Sequence, residues 1–229
     1  MSEQIGERQL YGSAGNGFIL GAGVNYFLDP CFGVGLNYSH LTGSWQQYEK
    51  DDYPNDYTIS EQFRGNYDNL TLGIQARTCC EGNWHGQANF GPSFFLGSNT
   101  QFKKTISNKG VVDYDIQRTI RNNFGIGLTG GFGGDYQLSK NFNIGLNISS
   151  TMFTATGKNQ IYTKYDDKGT NNLLDMDTYE KETNYVSQLT ETSNVKGNSN
   201  YNKNKPMDDL AIKTGYNSVI GTLRTTFTF

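Results

Sequence analysis

No apolar run in this chain approaches the ~20 residues that a membrane-spanning helix needs. Proline is scarce at four residues, and only two histidines, His40 and His85, are present. Cysteine is limited to Cys31, Cys79 and Cys80, an odd number with an adjacent pair, which is neither a disulfide framework nor a metal-ligand spacing. The simplest reading makes these cysteines small turn residues; a bridge from Cys31 to one of the pair, in an oxidising compartment, is the alternative. Basic stripes are also missing, and a net charge of -3 gives no footprint for nucleic acid. The first residues, Met-Ser-Glu-Gln-Ile-Gly, lack the apolar core of a secretory signal. No metal-binding, cofactor-binding or catalytic motif stands out, so no enzyme activity is expected.

What the 229 residues do contain is 28 glycines and 14% aromatics at a mean hydropathy of -0.62. A length of this order fits one domain spanning 1–229. A low mean hydropathy does not exclude a membrane barrel, because only every second strand residue must then be apolar. Seven windows show that two-residue period: about 17–27, 32–42, 66–78, 84–97, 122–138, 140–156 and 217–229. In the first, Phe18, Leu20, Ala22, Val24 and Tyr26 oppose Gly21, Gly23 and Asn25; in the sixth, Phe142, Ile144, Leu146 and Ile148 oppose Asn143, Asn147 and Ser149.

The period alone would suit a soluble sandwich. Three features favour a membrane barrel. Of 19 Lys and Arg and 22 Asp and Glu, only Asp68, Arg77, Asp135, Lys140 and Arg224 fall inside the windows, and the second face is Gly, Asn, Gln, Ser and Thr. Connections alternate between short turns near 28–31, 79–83 and 138–141 and long polar loops near 43–65, 98–121 and 157–216, as in barrels with short periplasmic turns and long extracellular loops. Aromatics sit at window ends on the apolar face: Tyr26, Phe32, Trp84, Tyr136, Phe142, Phe227 and Phe229 would form a periplasmic girdle, and Phe18, Tyr38, Phe94 and Phe124 an outer one. The expected fold is therefore all-β, an antiparallel up-and-down transmembrane barrel in the bacterial outer membrane, with lipid as its surroundings.

Bacterial barrels have an even number of strands. Seven windows thus leave one unaccounted for. Direction of travel places it before residue 17; residues 1–15 read as the end of a first extracellular loop, with the first strand and signal absent from this chain. Extra short strands within 157–216 are the other solution. The terminal Thr226-Phe227-Thr228-Phe229 resembles the signal read by barrel-assembly machinery.

The stretch Tyr11-Gly12-Ser13-Ala14-Gly15-Asn16-Gly17-Phe18, followed by Gly23-Val24-Asn25-Tyr26-Phe27 and Phe32-Gly33-Val34-Gly35-Leu36-Asn37-Tyr38, resembles the small outer-membrane β-barrel family abundant in Bacteroidetes. Lys181-Glu182-Thr183-Asn184-Tyr185-Val186, then Asn204-Lys205-Pro206 and the last strand, extend the resemblance from about residue 11 to the end. It implies about eight strands, a cleaved signal, an outer-membrane address and a first strand ahead of the Tyr-Gly-Ser region. It supplies no catalytic residues.

A barrel this small is filled by side chains. Arg77, Asp135 and Arg224 share the inward parity, and buried charge needs a partner, so a lumen charge network of these three is expected. His40 has outward parity; Ser39, its neighbour, points the opposite way and cannot be its nucleophilic partner. Loop tyrosines such as Tyr48, Tyr114, Tyr165 and Tyr201, set among Asn, Ser and Asp, suit adaptable contact surfaces for a ligand or protein. Three functions remain open: a structural or surface-interaction barrel with a plugged lumen, a narrow passive pore, and an outer-membrane lipid-modifying enzyme.

Overall fold

A computed structural model describes residues 17–52, 57–78 and 82–227. The elements in chain order are β1 (Gly17–Phe27), β2 (Phe32–Gly43), β3 (Gln46–Asp52), β4 (Tyr57–Arg77), β5 (Trp84–Asn108), β6 (Val111–Asn122), β7 (Gly125–Ser139), β8 (Phe142–Asp167), β9 (Thr170–Asn171), one helical turn α1 (Thr178–Lys181), β10 (Glu182–Val186), β11 (Met207–Leu210) and β12 (Lys213–Phe227). All twelve strands belong to one sheet. Pairing is antiparallel throughout, apart from the parallel contact of β10 with β11.

The seven windows of alternation all become strands, paired in the order β1–β2–β4–β5–β7–β8–β12. The sheet rolls up on its polar face. Tyr67 of β4 and Tyr216 of β12 are four positions apart in that order, yet their ring centroids lie 5.9 Å from each other. Inward positions on β4 are buried one after another, from Gly65 to Gln75, while outward Leu72 and Ile74 are exposed. Among the described residues no backbone ladder joins β1 to β12, and β6, as long as β2, continues the line of β7 rather than adding an eighth place in that order.

The expected long loops are the main correction. Residues 43–65 and 98–121 are strand for most of their length: β3 continues the line of β2 beside β4, and the β5–β6 hairpin rises past the predicted strand ends. β4, β5 and β8 reach 21, 25 and 26 residues, against a usual 3–10. β6 and β7 form one line between β5 and β8, broken at Asn123-Phe124, so the fifth window begins in β6 and restarts at Gly125. The reason is visible in the residues. Thr58, Ile59, Phe63, Phe102, Thr105, Ile106 and Ile116 supply β-branched and aromatic side chains that pack on a pleated surface even when charges alternate with them. Among the described residues twelve strands replace the expected eight or so, because the hairpins and the segment before β12 are themselves paired.

At the turn end, Asp29 Oδ1 accepts the backbone N–H of Cys31 at 2.7 Å and of Phe32 at 2.8 Å, fixing the β1–β2 turn. Cys31 is disulfide-bonded, in line with the alternative of a Cys31 bridge rather than with three cysteines acting only as small turn residues. The candidates for its partner, Cys79 and Cys80, lie outside the described residues. Phe32 pairs with Ala76 and the Arg77 N–H donates to the Cys31 carbonyl at 2.8 Å, which joins this turn to the end of β4.

Inward glycines set how tightly the sheet can curl. A Cβ at Gly91 would lie 2.1 Å from the Leu72 carbonyl oxygen and 2.5 Å from the Gly73 Cα, both backbone atoms that cannot step aside. At Gly221, on β12, nothing lies within 4 Å of that position. Gly91→Ala should therefore destabilise the folded protein by about 1–3 kcal/mol, and Gly221→Ala by no more than roughly 0.5 kcal/mol. Urea unfolding of the two variants in detergent micelles, followed by intrinsic fluorescence, measures the contrast.

Candidate functional site

The rolled sheet encloses three layers of inward side chains. Nearest the hairpin end is an aromatic cluster of Tyr67, Phe95, Phe153 and Tyr216, with Leu41 and Ala155 buried beside it and Ile19 packed against it. Phe153 stacks on Tyr216 at 4.6 Å, and the Tyr67 ring stands edge-on to Phe95, Phe153 and Tyr216 at 5.4, 5.3 and 5.9 Å. Such offset and T-shaped pairs add to the free energy of apolar burial. The hydroxyls stay satisfied: Tyr216 meets Thr100 Oγ1 at 2.6 Å and accepts from Asn122 Nδ2 at 2.9 Å, and Tyr67 reaches Ser218 Oγ at 3.4 Å.

Below the rings runs a chain of side-chain hydrogen bonds across four strands. Asn69 Nδ2 donates to Thr71 Oγ1 (3.1 Å); Thr71 meets Ser93 (2.9 Å), Ser93 meets Thr129 (2.5 Å), and Thr129 meets Thr151 (2.9 Å). All five residues are buried. Hydroxyls suit this place because each donates and accepts at once, so a row of them is self-satisfying without charge.

The third layer, toward the turn end, holds the charges. Arg224 binds Asp135 through Nε at 3.2 Å and Nη2 at 2.5 Å, and Gln87 Nε2 donates to the same carboxylate at 3.1 Å. Asp135 is 7% exposed. The pair forms across β8, and the residue between them in register is Gly145. A Cβ there would lie 1.8 Å from Asp135 Oδ1, so the glycine clears the path for the guanidinium.

Arg77 does not join this network, against expectation. It ends β4 at the rim, is exposed, donates from Nε to the Pro30 carbonyl at 2.6 Å and lays its guanidinium 4.1 Å over the Phe27 ring. The neutral amide of Gln87, its register partner on β5, takes the third place at Asp135.

The outward face is the converse of the interior. Val24, Ile74, Phe132, Leu146 and Leu223 are all more than 60% exposed. At the turn end, Trp84 and Tyr136 lie 5.0 Å apart, Phe142 and Phe227 also 5.0 Å, and Tyr26 and Phe32 are exposed on β1 and β2. Phe229, the remaining member of that expected ring, lies outside the described residues. At the opposite border Phe94 stacks with Phe124 at 6.3 Å, and Phe18 and Tyr38 are exposed. His40, just above, has its Nδ1 2.8 Å from Asp68 Oδ1, which also accepts from the Tyr38 hydroxyl at 2.6 Å. Among the described residues no serine hydroxyl hydrogen-bonds the imidazole.

Beyond that border the strand extensions carry paired charges. Lys104 bonds Glu61 at 2.8 Å, and Lys164 lies between Asp115 (2.6 Å) and Asp166 (2.9 Å), whose carboxylates raise its pKa above the usual lysine value. The segment from 172 to 212 folds onto β8 through β10, and β11 pairs with β10. Asn194 ties it together: its amide Nδ2 lies within 3.0 Å of the carbonyls of Asn202, Lys205 and Pro206, its Oδ1 accepts the Asn202 N–H, and its own N–H donates to Asp208. The aromatic cluster and Asn194 are not marked by any of the sequence patterns above.

No protein-family model matches this chain, and no curated protein matches it. Among solved structures, the "Crystal Structure of Acinetobacter baumannii CarO" is similar at 14% identity with a TM-score of 0.41, covering 92% of this chain and 95% of that one.

Removing Arg224 would strand Asp135 inside the sheet with only the Gln87 amide. Arg224→Ala should lower stability by about 2 kcal/mol. The loss should shrink in the Asp135→Asn background, where no buried charge is left unpaired. Arg77→Ala should leave that coupling unchanged, so a double-mutant cycle between Asp135 and each arginine separates the two.

Proposed function

We propose that this chain is an outer-membrane β-barrel whose interior is closed by its own side chains and whose strand extensions form a surface for interactions outside the cell. The observation that carries the reading is the inverted distribution of polarity. A belt of exposed Val, Leu, Ile and Phe surrounds an interior of buried Thr, Ser, Asn and one ion pair. Soluble proteins rarely expose so continuous an apolar surface, whereas a bilayer requires it. Aromatic residues at both borders support the same placement. The resemblance to small barrels of Bacteroidetes agrees with it.

A membrane strand needs only about 9–11 residues. β5 and β8, at 25 and 26, are long enough to cross and then stand well clear of the lipid. Their paired charges and the Asn194-centred segment give that outer part a fixed shape, which favours recognition over a flexible coat. The role proposed is structural or adhesive, with no reaction catalysed. The aromatic cluster, in which Tyr67, Phe95 and Tyr216 are at most 2% exposed, supports a plugged lumen over a pore.

Refolded into a planar bilayer, the full chain should show heat-modifiable migration on gels but no steady single-channel conductance. The triple variant Tyr67→Ala, Phe153→Ala, Tyr216→Ala should conduct if it folds; Phe153→Leu, a milder change, keeps the experiment readable if it does not. Steady conductance from the unaltered protein would replace the plugged reading by the pore. Failure to insert at all would remove the membrane reading.

A further inference from the structure

On the outward face, immediately above Tyr38, Phe94 and Phe124, the surface changes from apolar to cationic. Strand register sets Asn66, Asn99 and Arg121 side by side across β4, β5 and β6, with Asn159 next on β8 and Lys158 in the bulge beside it. A cavity of about 320 Å³ opens here, lined by His40, Asp68, Asn99, Arg121 and Lys158 among others. The carboxylate in that lining is already engaged, since Asp68 Oδ1 holds both Tyr38 and His40. Arg121 and Lys158 are exposed, and among the described residues neither has a carboxylate within salt-bridge distance. Asn66 donates to Asn99 Oδ1 at 3.3 Å, which leaves the Asn99 amide hydrogens as further donors. Arg64, two residues farther along the outward face of β4, shares the Trp45 ring with Lys103, at 4.6 and 4.4 Å. The zone is thus positive and rich in donors.

We propose that this cavity binds the phosphate of an anionic lipid headgroup in the outer leaflet, with Arg121 and Lys158 as its cations. This inference rests on the outer-membrane reading above. The guanidinium fork and the ammonium both suit phosphate oxygens, and charge-assisted hydrogen bonds of this kind are the strong ones. A lipid is favoured over a free anion by position. The cavity lies directly above the apolar belt, so acyl chains attached to the same phosphate would run down past Phe94 and Leu72, both on the outward face. A soluble anion would gain only the charges and would compete with salt.

The test uses the refolded full chain in phosphatidylcholine nanodiscs, with retention of added lipid read by native mass spectrometry. Three probes are compared: bisphosphorylated lipid A, the same lipid after phosphatase treatment, and inorganic phosphate. Wild type should retain the phosphorylated lipid roughly tenfold better than the dephosphorylated one, and inorganic phosphate should not displace it. Arg121→Gln/Lys158→Gln should lose that preference while keeping heat-modifiable folding, and Lys140→Gln, at the turn end, should keep it. Equal retention of both lipids by an inserted wild type, or an unchanged preference in the double variant, overturns the lipid site alone. Displacement by inorganic phosphate at similar affinity overturns the lipid as source. A wild type that does not enter nanodiscs overturns the membrane reading and the site together.

Discussion

The two-residue alternation of β-strand side chains is the constraint from which the rest of this molecule follows. Once one face of seven strands is apolar and the other small and polar, a rolled sheet has only two arrangements. Turning the apolar face inward would crowd Phe90, Phe94, Phe132 and Phe142 into a space where Gly91, Gly127, Gly133 and Gly145 now allow strands to approach. Turning the polar face inward solves the packing, because glycine and hydroxyl residues fill a narrow interior, and it leaves the apolar face outside. The outward exposure of large hydrophobics is therefore a consequence of the same pattern that closes the core.

That arrangement holds up to one level and changes there. The ladder between β4 and β5 shifts register at Asp68/Asn69, that between β6 and β8 at Arg121/Asn122, and the β6–β7 line breaks at Asn123-Phe124. These irregularities lie beside the outer aromatic pair Phe94 and Phe124 and beside the cations of the outward cavity. β-Bulges re-aim side chains and increase local twist. Here they separate a stretch with apolar outward positions from one where Arg64, Lys103 and Arg121 occupy them. The inner face changes at the same height, from hydroxyl residues to the rings of Tyr67, Phe95, Phe153 and Tyr216.

The strand windows were legible because alternation is a local property. The first was read as 17–27 and is Gly17–Phe27. The Asp135–Arg224 pair was legible from parity and charge scarcity together. Parity and position set Arg77 near the same end as Asp135, but at the rim its guanidinium finds the Pro30 carbonyl and the Phe27 ring, and Gln87 meets Asp135 instead. The strand extensions are not legible from charge, because charges such as Glu61 and Lys104, which read as loop, sit opposite each other in a ladder and offset one another. Phe153 shares the parity of Thr151, and Phe95 that of Ser93, so the same alternation places both of these rings of the aromatic cluster inward.

Interior and exterior divide the work between them. Most interior groups satisfy one another, with rings on rings, hydroxyls in a row and Arg224 on Asp135, while the carbonyl oxygens of Asn69 and Asn122 are buried without a hydrogen-bond partner. The outer extensions differ, since their charges lie in the open and Arg121 and Lys158 face a cavity. A buried network gains its strength from being complete. An exposed cation at the edge of an apolar belt gains most from an anion that arrives with its own apolar tail, because both parts of the surface are then covered at once.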